Sequence, residues 1–275
     1  MERAQFTAEV AGGSLVGSVA GEGRQVLLLH GGPGLSIGYL DDLLPELDGM
    51  RVATYQQRGL APSTAREPYD VGVQVSDVVA VLDALGWERP LVLGHSWGGH
   101  LLLHLLASRP DRVAAAVVVD PVGCVGDGGQ AEFEAEMGRR TPPSALARAL
   151  EIEQREEAGL ATEAELQESL RLFWPAYFAD PASAAPRPET QISSEAFLQT
   201  LASLDGTLPE LAERLRGCAV PTRFVHGALS PMPVTASTDS AALWAAAEVD
   251  VVPGAGHFIW LEAPGAVRRS LDLLG

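Results

Sequence analysis

One stretch of the chain, residues 91–99, constrains the fold more than any other. It reads as an apolar strand that stops at Gly94, a sharp turn with Ser96 at its apex, and a helix that begins near Trp97. In so tight a turn the apical residue is strained, and Gly94 and Gly98, two positions before and after it, must lack side chains. The turn lifts the serine hydroxyl clear of the sheet and places the next N–H at a helix N-terminus, where developing negative charge is stabilised. This Gly-x-Ser-x-Gly pattern predicts that Ser96 is a nucleophile.

The chain on both sides of this turn alternates short apolar strands with amphipathic helices. After an antiparallel hairpin within residues 4–19, strands are predicted at 25–29, 52–55, 91–94, 113–119, 221–227 and 248–252. Helices are predicted between them and at the end of the chain, at about 37–47, 70–85, 97–108, 234–246 and 264–274. Strands and helices that alternate at this spacing form right-handed βαβ units. We therefore predict an α/β fold with a mostly parallel, twisted sheet flanked by helices.

The alternation stops between residues 122 and 216, where no strand is predicted. Helices are expected there instead, at about 129–138, 143–158, 162–173 and 193–204, with a linker rich in Pro and Ala at 181–188. We interpret this region as an inserted helical cap. The predicted organisation is a core of residues 1–121 and 217–275, interrupted by the cap at 122–216.

The composition and the net charge of the chain disfavour some classes of binding partner. Apolar residues make up 47% of the chain and charged residues 20%, as in an ordinary globular protein, and no apolar run is long enough to span a bilayer. The N-terminus lacks the apolar core of a signal peptide, so we expect a cytoplasmic protein. A net charge of −17 disfavours nucleic acid and anionic membranes as partners and leaves a small-molecule substrate. The sequence does not indicate the oligomeric state.

A serine nucleophile needs a base, and the chain has six histidines. His257 follows the last strand in a Gly-rich loop, and ligands of open α/β sheets bind beyond the carboxyl ends of the strands, where Ser96 also falls. We predict that His257 is the base. His95 lies within the turn and is expected to point away from the serine. His100 and His104 lie one helical turn apart, but no glutamate accompanies them as in a metal-binding helix, so no metal is predicted.

Several motifs together resemble the α/β-hydrolase superfamily, and most closely its proline iminopeptidase-like branch. They are the HGGPG segment at 30–34, the Tyr-x-Gln-Arg-Gly segment at 55–59, the turn at Ser96, and His257 after Gly256. The resemblance covers nearly the whole chain outside the cap. It implies that the N–H groups of Gly32 and Trp97 form an oxyanion hole, and it implies no cofactor.

The carboxylate of the expected Ser-His-Asp triad departs from that family. The family usually carries it in a Gly-x-x-Asp motif, but the matching segment here, 227–230, ends in Ser230, which cannot supply a negative charge. Some α/β-hydrolases provide the acid from the end of the next strand after the nucleophile, the strand that follows the helix beginning near Trp97. That residue here is Asp120. We predict Asp120 as the acid, with Asp239 and Asp127 as the alternatives.

The cap also departs from the aminopeptidases of that branch, in which a Trp-Glu pair often holds the substrate amine. It carries an aromatic cluster instead, in which Trp174, Tyr177 and Phe178 either roof an apolar pocket or pack as core. Its glutamates are expected on exposed helix faces: Glu151, Glu153, Glu156 and Glu157. We therefore predict a serine hydrolase of a small ester, lactone or amide that works through an acyl-enzyme on Ser96. A proline iminopeptidase-like aminopeptidase and a non-catalytic ligand receptor on the same fold are the alternatives.

Overall fold

In the computed structural model, which describes residues 3–275, eight strands form a single sheet. The strands are β1 (Ala4–Val10), β2 (Gly13–Ala20), β3 (Arg24–Leu29), β4 (Met50–Tyr55), β5 (Leu91–His95), β6 (Ala115–Val119), β7 (Thr222–Gly227) and β8 (Ala247–Val252). Their spatial order is β1-β2-β4-β3-β5-β6-β7-β8. The first two strands form the predicted antiparallel hairpin, and β2 also runs antiparallel to β4. All other pairs are parallel, which confirms the predicted sheet.

Helices cover both faces of this sheet. They are α1 (Val71–Ala84), α2 (Trp97–Ser108), α3 (Gln130–Arg140), α4 (Pro143–Glu157), α5 (Glu163–Phe173), α6 (Ser194–Ala202), α7 (Leu208–Leu215), α8 (Val234–Ala241), α9 (Ile259–Glu262) and α10 (Ala266–Asp272). The strands β5 and β6, and β3 from Val26 onward, are buried on both faces and therefore consist almost entirely of apolar residues. The core accordingly lies in two layers, one on each face of the sheet.

Two segments differ from the sequence prediction. The helix predicted at 37–47 is a 3-10 helix, Ile37–Leu47, that contains Pro45. Proline removes a backbone donor and obstructs the preceding turn of an α-helix, which disfavours the regular form. The helix predicted at 264–274 corresponds to α10, but a short helix that was not predicted, α9, precedes it across a turn with Gly265 at a positive φ of 85°.

Between β6 and β7 the described chain forms helices and no strand. The helices α3, α4, α5 and α6 lie close to their predicted positions. Helix α7 was not predicted. Its buried Leu211 and Leu215 pack in the same layer as α2 of the core rather than with the other inserted helices. Within residues 3–275, no helix combines the length and the apolar character that a membrane span requires.

Candidate active site

The turn after β5 has the strained geometry that its sequence predicts. Ser96 adopts φ 54° and ψ −121°, a region that residues with side chains rarely occupy. The chain is so closely packed here that a Cβ on Gly94 would lie 2.2 Å from the Gly98 carbonyl oxygen. A Cβ on Gly98 would lie 2.2 Å from the Leu29 carbonyl oxygen. Both glycines are therefore required for the turn to fit against the neighbouring strand.

The HGGPG loop lies directly against this turn. A Cβ on Gly31 would lie only 2.8 Å from the Ser96 Cβ, so the two backbones are in contact. Gly32 has a positive φ of 65°, and within residues 3–275 its N–H meets no hydrogen-bond acceptor. Trp97 is the first residue of α2, and its N–H likewise has no intrahelical acceptor. Two free N–H groups thus belong to the segments that meet at Ser96.

Gln57, in the Tyr-x-Gln-Arg-Gly segment, holds this loop and the turn together. Its side chain donates to the His30 carbonyl oxygen at 2.8 Å and accepts from the Trp97 indole N–H at 3.0 Å. Its own N–H donates to His30 Nε2 at 3.0 Å. Burial lowers the pKa of His30 to about 4, so the ring is neutral at pH 7 and Nε2 accepts. The next residue, Arg58, is fixed by a buried ion pair with Asp77.

Asp120 and His257 meet beyond the carboxyl ends of β6 and β8. The Asp120 Oδ1 atom accepts a hydrogen bond from His257 Nδ1 at 2.8 Å. Oδ1 also accepts from the Ser230 hydroxyl at 2.6 Å, and Oδ2 accepts from the Gly227 N–H at 2.9 Å. Burial alone would raise the pKa of Asp120, but His226 and the hydrogen bonds from His257 and Ser230 outweigh it and hold the pKa below its ordinary value. Asp120 is therefore a buried carboxylate with His257 on one side.

Backbone contacts bring Ser96 to the same place. The Ser96 N–H donates to the Val119 carbonyl oxygen at 2.9 Å, one residue before Asp120. The preceding residue, His95, donates from Nε2 to the His257 carbonyl oxygen at 3.1 Å, and the two imidazole rings lie 4.6 Å apart. The turn at Ser96, Asp120 and the loop that carries His257 therefore share one end of the sheet.

The two alternative acids lie elsewhere. Asp239 is exposed on α8 and does not contact the histidine. Asp127 is also exposed, and its carboxylate accepts from the N–H groups of Gly129 and Ala131 at the start of α3. Of the three predicted candidates, Asp120 is the one that hydrogen-bonds to His257.

His100 and His104 bond to each other rather than to a third ligand. Their Nε2 atoms lie 3.2 Å apart, and His100 Nδ1 donates to the Val122 carbonyl oxygen at 3.2 Å. Burial lowers the pKa of His100 to about 4 and that of His104 to about 3. In the part of the chain that the structure describes, no three His, Cys, Asp or Glu side chains come together as a metal would need.

The three aromatic residues predicted at the cap occupy different environments. The Tyr177 ring lies 5.1 Å from the His257 ring, and its carbonyl oxygen accepts from the His257 N–H at 2.9 Å. Trp174 packs on Phe258, with ring centroids 4.6 Å apart, and its indole N–H is bonded to a backbone carbonyl. Phe178 is 2% exposed within the core. Of the three, Tyr177 is the residue placed against the histidine.

The cap glutamates are not all on exposed faces. Glu151 and Glu157 are exposed as predicted, but Glu153 and Glu156 are half-buried. Burial, and then the charges of the neighbouring glutamates, raises the pKa of Glu153. Burial, and then the Glu153 charge, raises the pKa of Tyr177 to about 12.

Sequence reasoning missed two groups that support the site. Tyr39 bonds to both the HGGPG loop and His95, although its position in a helix gave no sign of it. Glu262 accepts from the N–H of Gly256, next to His257, and from that of Ala179 in the cap. Neither lies in a recognisable motif, and their contacts depend on how distant segments meet.

Comparison with known proteins agrees with this architecture. The family described as the alpha/beta hydrolase fold matches residues 25–264. The chain belongs to this family. The family and the functional class predicted from the sequence, a hydrolase with the α/β-hydrolase fold, are both supported.

Named relatives match this α/β hydrolase over one part of the chain. A putative carbamate hydrolase RutD of Caulobacter segnis is 37% identical over 102 residues, which are 36% of this chain and 38% of that protein. A proline iminopeptidase of Lactobacillus delbrueckii subsp. bulgaricus is 35% identical over 101 residues, 34% of each chain. The matched segment thus spans little more than a third of these relatives' length.

Solved structures match over the whole length. The 2-hydroxy-6-oxo-6-phenylhexa-2,4-dienoate hydrolase from Rhodococcus sp. strain RHA1 superimposes with a TM-score of 0.72 at 21% identity, covering 99% of this chain and 98% of that one. A proline iminopeptidase of Mycobacterium smegmatis gives 0.69 at 20% identity, covering 98% and 97%. At this identity the likeness establishes the fold. Together with the partial sequence matches, it confirms the resemblance to the proline iminopeptidase branch.

Proposed function

We propose that this α/β hydrolase is a serine hydrolase that cleaves a small ester, lactone or amide through an acyl-enzyme on Ser96. The observation that carries the proposal is the hydrogen bond from His257 to the buried Asp120, in a loop that also bonds to the residue before Ser96. A carboxylate accepts only, so Nδ1 of His257 carries the proton. Nε2 of the neutral ring is then left as a base.

In the first half of the reaction, Ser96 Oγ attacks the substrate carbonyl carbon while His257 Nε2 takes the hydroxyl proton. The carbonyl oxygen becomes an oxyanion that accepts from the N–H groups of Gly32 and Trp97, each of which would contribute roughly 3–4 kcal/mol. As the tetrahedral intermediate collapses, the proton passes from His257 to the leaving alcohol or amine. Asp120 fixes the tautomer and stabilises the imidazolium that exists between these two transfers.

In the second half, water attacks the acyl-enzyme carbonyl and gives its proton to the same histidine. The second tetrahedral intermediate releases the carboxylic acid, and the proton returns to Ser96 Oγ. Every proton that leaves one group in this cycle is taken up by another, so the proposed reaction requires no cofactor. Tyr177, beside the His257 ring, is the aromatic cap residue that we propose to contact the substrate.

An aminopeptidase is the second candidate, and the half-buried Glu153 favours it. Its raised pKa indicates a partly desolvated carboxyl group, and its charge contributes to the raised pKa of Tyr177, the residue beside His257. Such a group would attract the ammonium of a substrate with a free N-terminus. The cap nevertheless lacks the Trp-Glu pair of that branch, and for that reason an ester or a lactone is the first proposal. A receptor without activity is a weaker alternative, since Asp120 supplies the acid that position 230 lacks.

Covalent labelling tests the proposal. A fluorophosphonate probe phosphonylates an activated serine, so the wild type should be labelled and Ser96→Ala should not. Labelling of both proteins, or of neither, would contradict a nucleophile at Ser96, and labelling of neither would favour the receptor. Parallel assays with p-nitrophenyl esters and amino-acid p-nitroanilides then separate the two enzyme candidates, because an aminopeptidase requires the free amine that the esters lack.

A further inference from the structure

The residue before the proposed nucleophile is built into a buried polar chain that the reaction does not use. The His95 ring is 1% exposed, and both of its nitrogens are bonded. Nδ1 lies 2.8 Å from the Tyr39 hydroxyl oxygen, and Nε2 lies 3.1 Å from the His257 carbonyl oxygen. The Tyr39 oxygen also lies 2.6 Å from the backbone nitrogen of Gly31. Four groups from four segments thus form one continuous chain of hydrogen bonds.

The direction of every hydrogen bond in this chain is determined. A carbonyl oxygen can only accept, so Nε2 of His95 carries the proton that it donates to His257. Burial, and then the nearby His257, lowers the pKa of His95 well below its ordinary value, so the ring is neutral and Nδ1 accepts. Tyr39 donates its hydroxyl proton to Nδ1, and its oxygen accepts from the Gly31 N–H. From donor to acceptor, the hydrogen bonds therefore run from Gly31 to Tyr39, from Tyr39 to His95, and from His95 to His257.

This chain joins the three segments on which the proposed reaction depends. Gly31 precedes Gly32, whose N–H is one proposed oxyanion donor. His95 precedes Ser96, and the last acceptor is the backbone of His257 itself. Asp120 holds the His257 ring by Nδ1, so the same residue is fixed at its ring on one side and at its backbone on the other.

We propose that Tyr39 and His95 are positioning residues that set the distance between the oxyanion loop, the serine and the histidine. The inference rests on the proposed function, because it assigns these two residues a part in that reaction. Neither side chain touches the reacting atoms. Their effect is to fix groups that must be held within a few tenths of an ångström to stabilise the transition state. Aromatic neighbours keep the Tyr39 ring in place, with Phe258 at 5.9 Å and Trp260 at 6.2 Å between ring centroids.

Tyr39→Phe is the test, because it removes the hydroxyl group and keeps the packed ring. The matched control is Tyr69→Phe, which removes the hydroxyl group of a tyrosine with a buried side chain, one that donates to the Ala65 carbonyl oxygen away from the site. We expect Tyr39→Phe to lower both the rate of fluorophosphonate labelling and kcat on p-nitrophenyl acetate by about 10- to 100-fold, with KM within about twofold of wild type. Tyr69→Phe should leave both rates within about twofold of wild type, although both variants lose thermal stability.

The outcomes separate this inference from the proposed function. If wild type is not labelled, the proposed function fails. If wild type is labelled and Tyr39→Phe reacts as fast as Tyr69→Phe, the positioning role alone fails. His95 gives a second measurement that does not depend on the folding of Tyr39→Phe. His95→Gln keeps one hydrogen-bond acceptor and one donor, whereas His95→Leu keeps neither. The fluorophosphonate should therefore label His95→Gln at least about tenfold faster than His95→Leu. Equal labelling rates of the two variants would overturn the inference.

Discussion

Two non-glycine residues in the described chain have a positive φ, and both belong to the proposed triad. Ser96 has φ 54° and Asp120 has φ 44°. Such backbone costs on the order of 1–3 kcal/mol per residue and persists where the surrounding structure enforces it. At Ser96 the two glycines of the turn permit it. At Asp120 a fully buried carboxylate with three hydrogen-bonding partners fixes the side chain, and the backbone follows.

The first prediction concerns this carboxylate. Asp120→Asn keeps the shape of the side chain but removes the charge that stabilises the His257 imidazolium, and its amide can favour the wrong tautomer. We expect kcat to fall by about 10³- to 10⁴-fold. Asp239→Asn is the matched control, because that exposed aspartate on α8 does not contact the histidine, and it should remain within about twofold of wild type. Steady-state kinetics on one p-nitrophenyl ester compare the two, and the reverse order would move the assignment to Asp239.

A second prediction follows from the position of Ser230. Its hydroxyl lies 2.6 Å from Asp120 Oδ1, the atom that accepts from His257. A carboxylate at position 230 would therefore lie near the same imidazole nitrogen. In the Asp120→Asn background, Ser230→Asp should recover at least about tenfold of the lost kcat, because it restores a negative charge there. The same change alone should lower activity, because it places two carboxylates side by side. A double variant no more active than Asp120→Asn would contradict this geometry.

At the scale of elements, the sequence predicted what local physics determines. The glycines around Ser96, the apolar strands and the broken alternation after Asp120 each leave a local pattern, and the sheet and the helices α3 to α6 follow from them. Analogy with other α/β-hydrolases favours Asp120 over Asp239 and Asp127. The sequence alone does not show the contact of Asp120 with His257, because that contact depends on the register between β6, β7 and β8. The roles of Tyr39 and Glu262 left no pattern, because each joins segments far apart in the chain.

Glu262 gives the prediction at this scale, because it joins α9 to both the cap and the histidine loop. Its carboxylate accepts from Gly256 at 2.7 Å and from Ala179 at 2.9 Å. Glu262→Gln replaces one carboxylate oxygen by an NH₂ group, which would face a backbone N–H, so that two donors meet. This loss of an acceptor should lower the free energy of unfolding by about 1–3 kcal/mol. Because Gly256 precedes His257, kcat/KM should also fall by about tenfold. Urea unfolding and ester kinetics measure the two effects.

Glu46 provides the matched control for this experiment. Its carboxylate also accepts from two backbone N–H groups, those of Gly265 at 2.6 Å and Arg268 at 2.9 Å, but at the start of α10. Glu46→Gln should therefore lose a similar free energy of unfolding and keep its kcat/KM within about twofold. Equal losses of activity in the two variants would mean that Glu262 acts only through general stability.

The whole molecule carries several buried or half-buried histidines that are neutral when folded, and their protonation contributes to the pH dependence of its stability. Burial lowers the pKa of His30 and His100 to about 4 and that of His104 to about 3, and it also lowers the pKa of His95. In the unfolded chain each would titrate at its ordinary value of about 6.5. Between about pH 4 and 6.5 the unfolded state therefore binds more protons than the folded state. The stability contributed by these four histidines is present above pH 6.5 and is lost as the pH falls.

We accordingly expect the free energy of unfolding to decrease from pH 7.5 to pH 5, by on the order of 1 kcal/mol or more for each of these histidines. The raised carboxyl pKa of Glu153 acts in the opposite sense. Urea titrations at pH 7.5, 6 and 5 measure the slope, and His104→Gln should reduce it because one titrating group is removed. A protein equally stable at pH 5 and pH 7.5 would show that these rings gain protons without unfolding, and would contradict the neutral His95 that the bonds to Tyr39 and His257 require.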